Sequence, residues 1–249
     1  MRPDRTRGHC GRTAGSRLSG SNRTHIRRGE RTPFDRERDD HLRLSRERGG
    51  RLRSDEIDPA WIREAAPLHV TGILPALSAT MAHTVEAAVT VAKDAGASVS
   101  FDLNFRSILW SPEGARSSCL KVIALVDLVF ANDVEAELAV GPAPDPLETA
   151  RRLCAHGTAQ AVVKLGHGGA VANARGIEEV RAAVLTHVVD SVGAGGAFAG
   201  GYVADYVAGS DLADRFTTAV TMGSFACRSL SDLGVYPIAT NSPQGRAIP

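Results

Sequence analysis

The first 55 residues contain no lysine, although they hold 16 arginines against 8 acidic residues, a balance of +8. The whole 249-residue chain carries +1, which leaves −7 for everything after residue 55. Aromatic residues are scarce at 5%, so a core has to be built mostly from Ala, Val and Leu. No C-x-x-C pair occurs among Cys10, Cys119, Cys154 and Cys227. That argues against a disulfide framework or a zinc site and favours the reducing cytoplasm. No apolar run approaches the ~18 residues of a membrane-spanning helix, and the N-terminus lacks the apolar stretch of a secretion signal. A membrane partner is therefore not expected. Also missing are a His/Cys/Asp cluster with metal-ligand spacing, a G-x-S-x-G nucleophile elbow and a P-loop.

Within residues 1–55 the apolar residues stand alone: Leu18, Ile26, Phe34, Leu42, Leu44 and Leu52. With no helical or strand period there is little to bury, and a disordered tail is predicted. Three readings are open for it: a nucleic-acid arm, a solvated linker, or GC-rich DNA translated from a wrong start or frame. Arginine without lysine favours the last and argues against a nucleic-acid partner. Peptides from residues 1–50 in the native protein's mass spectrum would remove that reading.

From 56 to 249 strand and helix signals alternate. Short β-branched runs predict strands over 68–72, 98–102, 127–131, 161–165, 170–174 and roughly 179–189. Three-four apolar spacing predicts helices over 76–95, 113–124, 133–140, 146–156, 194–208 and 211–230. The implied class is α/β: a mostly parallel sheet with helices on both faces. Ligands of such sheets bind outside the carboxyl ends of the strands. Asn104 and Arg106, Asn132 and Glu135, residues 166–169 and residues 193–196 all fall at those ends. His69 and His187 sit at strand positions and read as packing, and His167 as a turn residue.

The most informative stretch is 186–206, THVVDSVGAGGAFAGGYVADY. Val188 and Val189 lead as a strand into Asp190, then Gly193, Ala194, Gly195 and Gly196, then a helical pattern. Glycines let the backbone approach an anion, and the unpaired N–H groups of a helix start point at it. A tight strand-to-helix connection that binds nothing has the same spacing. Arg106 offers a planar fork suited to carboxylate or phosphate; it also reads as a surface arginine beside a loop-capping asparagine. Asn132 and Glu135 fit a reciprocal helix cap. Lys164 ends a strand before Gly166, Gly168 and Gly169, a pattern that a plain hairpin also shows.

Together these segments resemble the ribokinase-like (PfkB) carbohydrate kinases, whose C-terminal signature is D-[ST]-x-G-A-G-D-x-F-x-x-G. Here it reads from Asp190 to Gly201. D-x-N-x-R-x-x-L-W at 102–110 is similar to the 2-keto-3-deoxygluconate kinase branch, N-x-x-E stands at 132–135, and V-K-x-G-x-x-G is matched from Val163 to Gly169. The resemblance implies ATP-dependent phosphorylation of a sugar or sugar acid. It implies an anion hole at Gly193, Ala194 and Gly195, and nucleotide contacts from Asn104, Lys164, Gly166, Gly168 and Gly169. Arg106 and Asp190 would meet the acceptor, and Asn132 and Glu135 would hold water on Mg2+.

One position departs. The family's general base, the aspartate after the second signature glycine, is Gly196 here, and glycine accepts no proton. The match runs over about 60–240, the C-terminal two-thirds of such a kinase. The family's first strands, early sugar-binding glycine motif and β lid find no counterpart, which leaves an unpaired sheet edge suited to self-association. Little or no kinase activity is therefore expected. The alternatives are a non-catalytic nucleotide-binding or interaction module, a pseudoenzyme by origin, and a fragment that does not fold stably alone.

Overall fold

Six short β-rich runs carry the architecture: β1 (Pro67–Thr71), β2 (Ser98–Asp102), β3 (Leu128–Asn132), β4 (Gln160–Lys164), β5 (Ala170–Ala174) and β6 (Ile177–Arg181). The computed structural model describes residues 50–228. The strands lie in sequence order in one sheet. β1 to β4 are parallel; β4–β5 and β5–β6 are antiparallel, closed by short glycine turns. The mostly parallel α/β sheet expected from the alternation is what forms.

Alternation along each strand divides the core in two. One face presents Val99, Phe101, Val129, Ala131, Ala161 and Val163. It is covered by helices α3 (Ala79–Asp94), α4 (Pro112–Ile123), α5 (Asp133–Val140) and α6 (Pro146–Ala155). The other face presents Leu128, Phe130, Val162, Ala170 and Ala172 to α7 (Ala194–Val207) and α8 (Leu212–Ala226). The scarce aromatics concentrate there. Phe130, Phe198, Tyr202 and Phe216 meet edge to face, with ring centroids 5.4 to 6.4 Å apart. This is the geometry their quadrupoles favour. Tyr202 is fully buried, and its hydroxyl donates to Gln160 Oε1 at 3.0 Å.

Five expectations need correction. The helix over 76–95 is two helices, α2 (Ile73–Leu77) and α3, with α1 (Pro59–Glu64) preceding them. Ser78 adopts φ −166° between them, and its hydroxyl accepts from Met81 N; an N-cap serine starts a new helix rather than continuing an old one. Residues 50–56 already pack, ahead of the start expected at 56. Thr84 Oγ1 donates to Leu52 O, and Ser78 Oγ donates to Gly50 O. The strand over 179–189 ends at Arg181. Beyond it the chain has no ladder partner among the described residues; Val189 N and Asp190 N donate instead to Cys227 O at the end of α8. His187 is exposed rather than packed, while His69 is exposed overall but bonds Ser100 Oγ through its ring. The last helix, expected to run to 230, ends at Ala226, and residues 1–49 and 229–249, with most of the expected tail, lie outside the described residues.

Candidate active site

The carboxyl ends of β1 to β4 come together with the start of α7, and the contacts can be followed from side chain to side chain. Lys164 ends β4, and its ammonium donates to Asp102 Oδ2, at the end of β2, at 2.7 Å. The same ammonium stands 3.5 Å from where a Cβ on Gly195 would be. A cation is thus held against the first turn of α7, where unpaired backbone N–H groups and the helix dipole already favour an anion. Gly193 caps α7 at φ +80°, a left-handed conformation that glycine adopts without cost. No strand leads into this turn; an irregular segment does, pinned by Cys227 O.

Glu135 is buried and fully occupied. Its Oε1 accepts from Phe105 N at 3.0 Å and its Oε2 from Asn132 N at 2.9 Å, while Asn132 Oδ1 accepts from Glu135 N at 2.8 Å. The reciprocal cap is therefore present. The Glu135 carboxylate also ties the loop after β2 to the start of α5. Burial raises its pKa above the usual range, opposed mainly by the hydrogen bond from Asn132. Asn104 takes a left-handed φ of +43°, and its amide donates to Thr71 Oγ1 at the end of β1. Arg106 is half-buried, and its Nη1 donates to Phe105 O. Asp190 Oδ1 accepts from Val192 N, shaping the turn before Gly193. His69 Nδ1 pairs with Ser100 Oγ at 2.8 Å. Although the residue is exposed overall, its ring lies against the sheet. Lost hydration there lowers its pKa, with Asp102 opposing and Lys164 adding to the effect.

Beside this cluster opens a cavity of about 320 Å3. Lys164, Gly169 and Gly195 line it together with Leu185, Val188 and Val220, and its wall is mostly apolar. Gly169 turns at φ +94° with its α-carbon pressed against the chain after β6; a Cβ there would sit 2.0 Å from Arg181 O. Of the residues predicted from sequence, Lys164, Gly166, Gly169, Ala194 and Gly195 line this cavity. Asn104, Arg106, Asn132, Glu135, Gly168, Asp190, Gly193 and Gly196 do not. Gly196 sits in the first turn of α7, exposed, with nothing within 4 Å of an added Cβ.

Two features escaped the sequence reading. Asp102 lay inside the quoted D-x-N-x-R run without a role, and only the fold pairs it with Lys164. The apolar wall from 184–188 read as strand, because β-branched residues in an extended loop look the same as in a ladder.

The model of the family described as pfkB family carbohydrate kinase matches residues 49–237. A 2-dehydro-3-deoxygalactonokinase of Haloferax volcanii is 35% identical over 164 residues, covering 64% of this chain and 51% of the relative. A 2-dehydro-3-deoxygluconokinase of Bacillus subtilis is 31% identical over 188 residues, covering 75% and 58%. The crystal structure of a PfkB protein from Polaromonas sp. JS666 superposes with a TM-score of 0.66 at 30% identity, covering 73% of this chain and 60% of that one. The chain thus spans between half and three-fifths of the length of these proteins. With the sheet, the glycine turn and the family match in agreement, the chain belongs to the pfkB family of carbohydrate kinases.

Proposed function

We propose that the chain is a phosphotransferase that moves the γ-phosphoryl group of ATP to a hydroxyl of a sugar acid of the 2-keto-3-deoxy type. The observation that carries this is the Lys164 ammonium held by Asp102 against the first turn of α7. A fixed cation and a helix start meet at one point, which is what a transferring phosphoryl group requires. The apolar cavity beside them suits a nucleobase, with Gly166 and Gly169 under it, and Gly193, Ala194 and Gly195 would hold the phosphates. Arg106, at the same edge, would meet the acid, with Asp190 and Asn104 near the acceptor and the nucleotide. The 2-dehydro-3-deoxy sugar acid kinases among the relatives point to the same acceptor class.

Mg2+ fits only loosely. Among the described residues no group of three or more His, Cys, Asp or Glu side chains could hold a metal, and both Glu135 oxygens are occupied. An ion carried by nucleotide phosphates and water, touched through water by Asn132 and Glu135, is the arrangement these residues allow. Bound there, Mg2+ would neutralise phosphate charge. The free Cys119, Cys154 and Cys227 suit the cytoplasm. Among the described residues β1 is an edge strand, which suits a homo-oligomer.

The test is ATP-dependent phosphorylation of 2-keto-3-deoxygluconate by the native chain and by Gly196→Asp. Open space at Gly196 lets the aspartate enter without strain. We expect it to raise turnover about 10²-fold or more, the usual worth of a positioned base. Thermal stabilisation by ATP without turnover in either form would instead establish the non-catalytic nucleotide-binding module that Gly196 favours. No turnover and no stabilisation would overturn both.

A further inference from the structure

Residues 182–190 join β6 to α7 without a ladder partner among the described residues. They hold apolar side chains in the open: Val184 is 45% exposed, Val188 59% and Leu185 98%. All three line the cavity that also takes in Lys164 and Gly195. Exposed apolar side chains gathered at one cavity mark a surface that a ligand covers. The chain is held there at few points. At its root Gly169 lies so close that a Cβ would stand 2.7 Å from Ala183 N. At its end Val189 N and Asp190 N donate to Cys227 O at 2.8 and 3.2 Å, one of the carbonyls that a helix end leaves over. Between these, Ser224 in the last turn of α8 donates from Oγ to Val184 O at 3.0 Å. From 185 to 188 no backbone hydrogen bond holds the chain among the described residues.

Ser224 uses its hydroxyl differently from its neighbours on α8. Thr217 and Thr221 each donate to the carbonyl four residues back, Ala213 O and Thr217 O, the ordinary choice of a hydroxyl inside a helix. Ser224 reaches instead to a chain 40 residues away. With Cys227 O it makes the end of α8 a two-point mount for the arch that carries Leu185 and Val188. Resting on the nucleotide site of the reading above, we infer that residues 184–189 are a strap whose Leu185 and Val188 pack on the nucleobase of ATP, and that Ser224 is its positioning residue. Ser224 acts through the strap: it fixes Val184, and Val184 sets where Leu185 stands at the cavity. A wall set before the ligand arrives leaves less to be ordered on binding.

The experiment uses the native chain, Ser224→Ala, Ser224→Thr and Leu185→Asn. For each it records ATP affinity by calorimetry, melting temperature without ATP, and thermolysin cleavage within 184–188 by mass spectrometry. Ser224→Ala should weaken ATP about three- to tenfold, the usual worth of one hydrogen bond, and speed cleavage of the strap in the free protein. Ser224→Thr keeps the hydroxyl and should return both to within about twofold of native. Leu185→Asn should weaken ATP about tenfold through lost apolar contact. Its melting temperature without ATP should stay within about 1 °C of native, because the side chain already stands in solvent. Native affinity in either Ser224→Ala or Leu185→Asn would overturn the inference and leave the nucleotide site standing. Weaker binding by Ser224→Ala with unchanged cleavage would mean that the hydroxyl meets the nucleotide directly, which overturns the positioning role. A native chain that binds no ATP overturns both this inference and the function proposed above. The expected affinities without phosphorylation of 2-keto-3-deoxygluconate would uphold the strap and overturn the kinase reading alone. Should Ser224→Ala melt below the assay temperature, Leu185→Asn, changed only at an exposed position, carries the test.

Discussion

Glu135 illustrates how one side chain can serve two ends at the residue scale. Its two oxygens receive two backbone N–H groups from different loops, so it fastens the loop carrying Asn104 and Arg106 to the cap of α5. Glutamine has one carbonyl oxygen and would present its amide to the other N–H. Glu135→Gln should therefore destabilise the fold by about 1–3 kcal/mol, the cost of a buried polar group losing its partner. Denaturant titration measures it. The same principle explains why Asp102 stands out. Among the described residues its second oxygen has no such partner. The cap between Glu135 and Asn132 was legible, because the two lie three residues apart; the bond from Phe105 N to Glu135 and the Lys164–Asp102 pair were not, because those partners are 30 and 62 residues apart along the chain.

At the scale of elements, α7 and α8 build the site and its cavity as a unit. α8 presses so closely on the start of α7 that a Cβ on Gly223 would lie 3.3 Å from Ala194 O. The aromatic cluster holds the two helices to β3, with Phe216 fully buried between Phe198 and Tyr202. Phe216→Ala should cost about 3–5 kcal/mol. It should also reduce stabilisation by ATP, since Val220 and Gly223 on the same helix line the cavity. Calorimetry with and without nucleotide separates the two effects. A variant that loses stability but keeps the full ATP-dependent shift would show that the cavity does not depend on α8. A helix start was legible in advance where a capping residue announced it, as at Asn132. Ser78 was such a signal passed over, because the apolar period runs on across it.

For the whole molecule, the two-faced sheet makes one face aliphatic and helix-rich and the other aromatic. Cys119 lies inside the first, where burial, and secondarily Glu135, push its thiol up to about 12. At pH 8 it is far below that value, stays protonated and is shielded. Alkylation of Cys119 should proceed only through unfolding, and peptide mass spectrometry across a denaturant series should place its labelling at the global transition. Labelling in the native state would mean that the α4 side of the core opens locally. The amino-acid sequence by itself determined the α/β class, five of the six strands to within a residue or so, and the glycine turn at 193–196. It did so because side-chain period, caps and φ-permissive glycines act over a few neighbouring residues. Only the tertiary structure decided that 182–189 leaves the sheet, that Lys164 pairs with Asp102 against α7, and that one oxygen of Asp102 is left over. Ladder partners and charge pairs are set by which strand ends the fold brings together, and no local pattern encodes that.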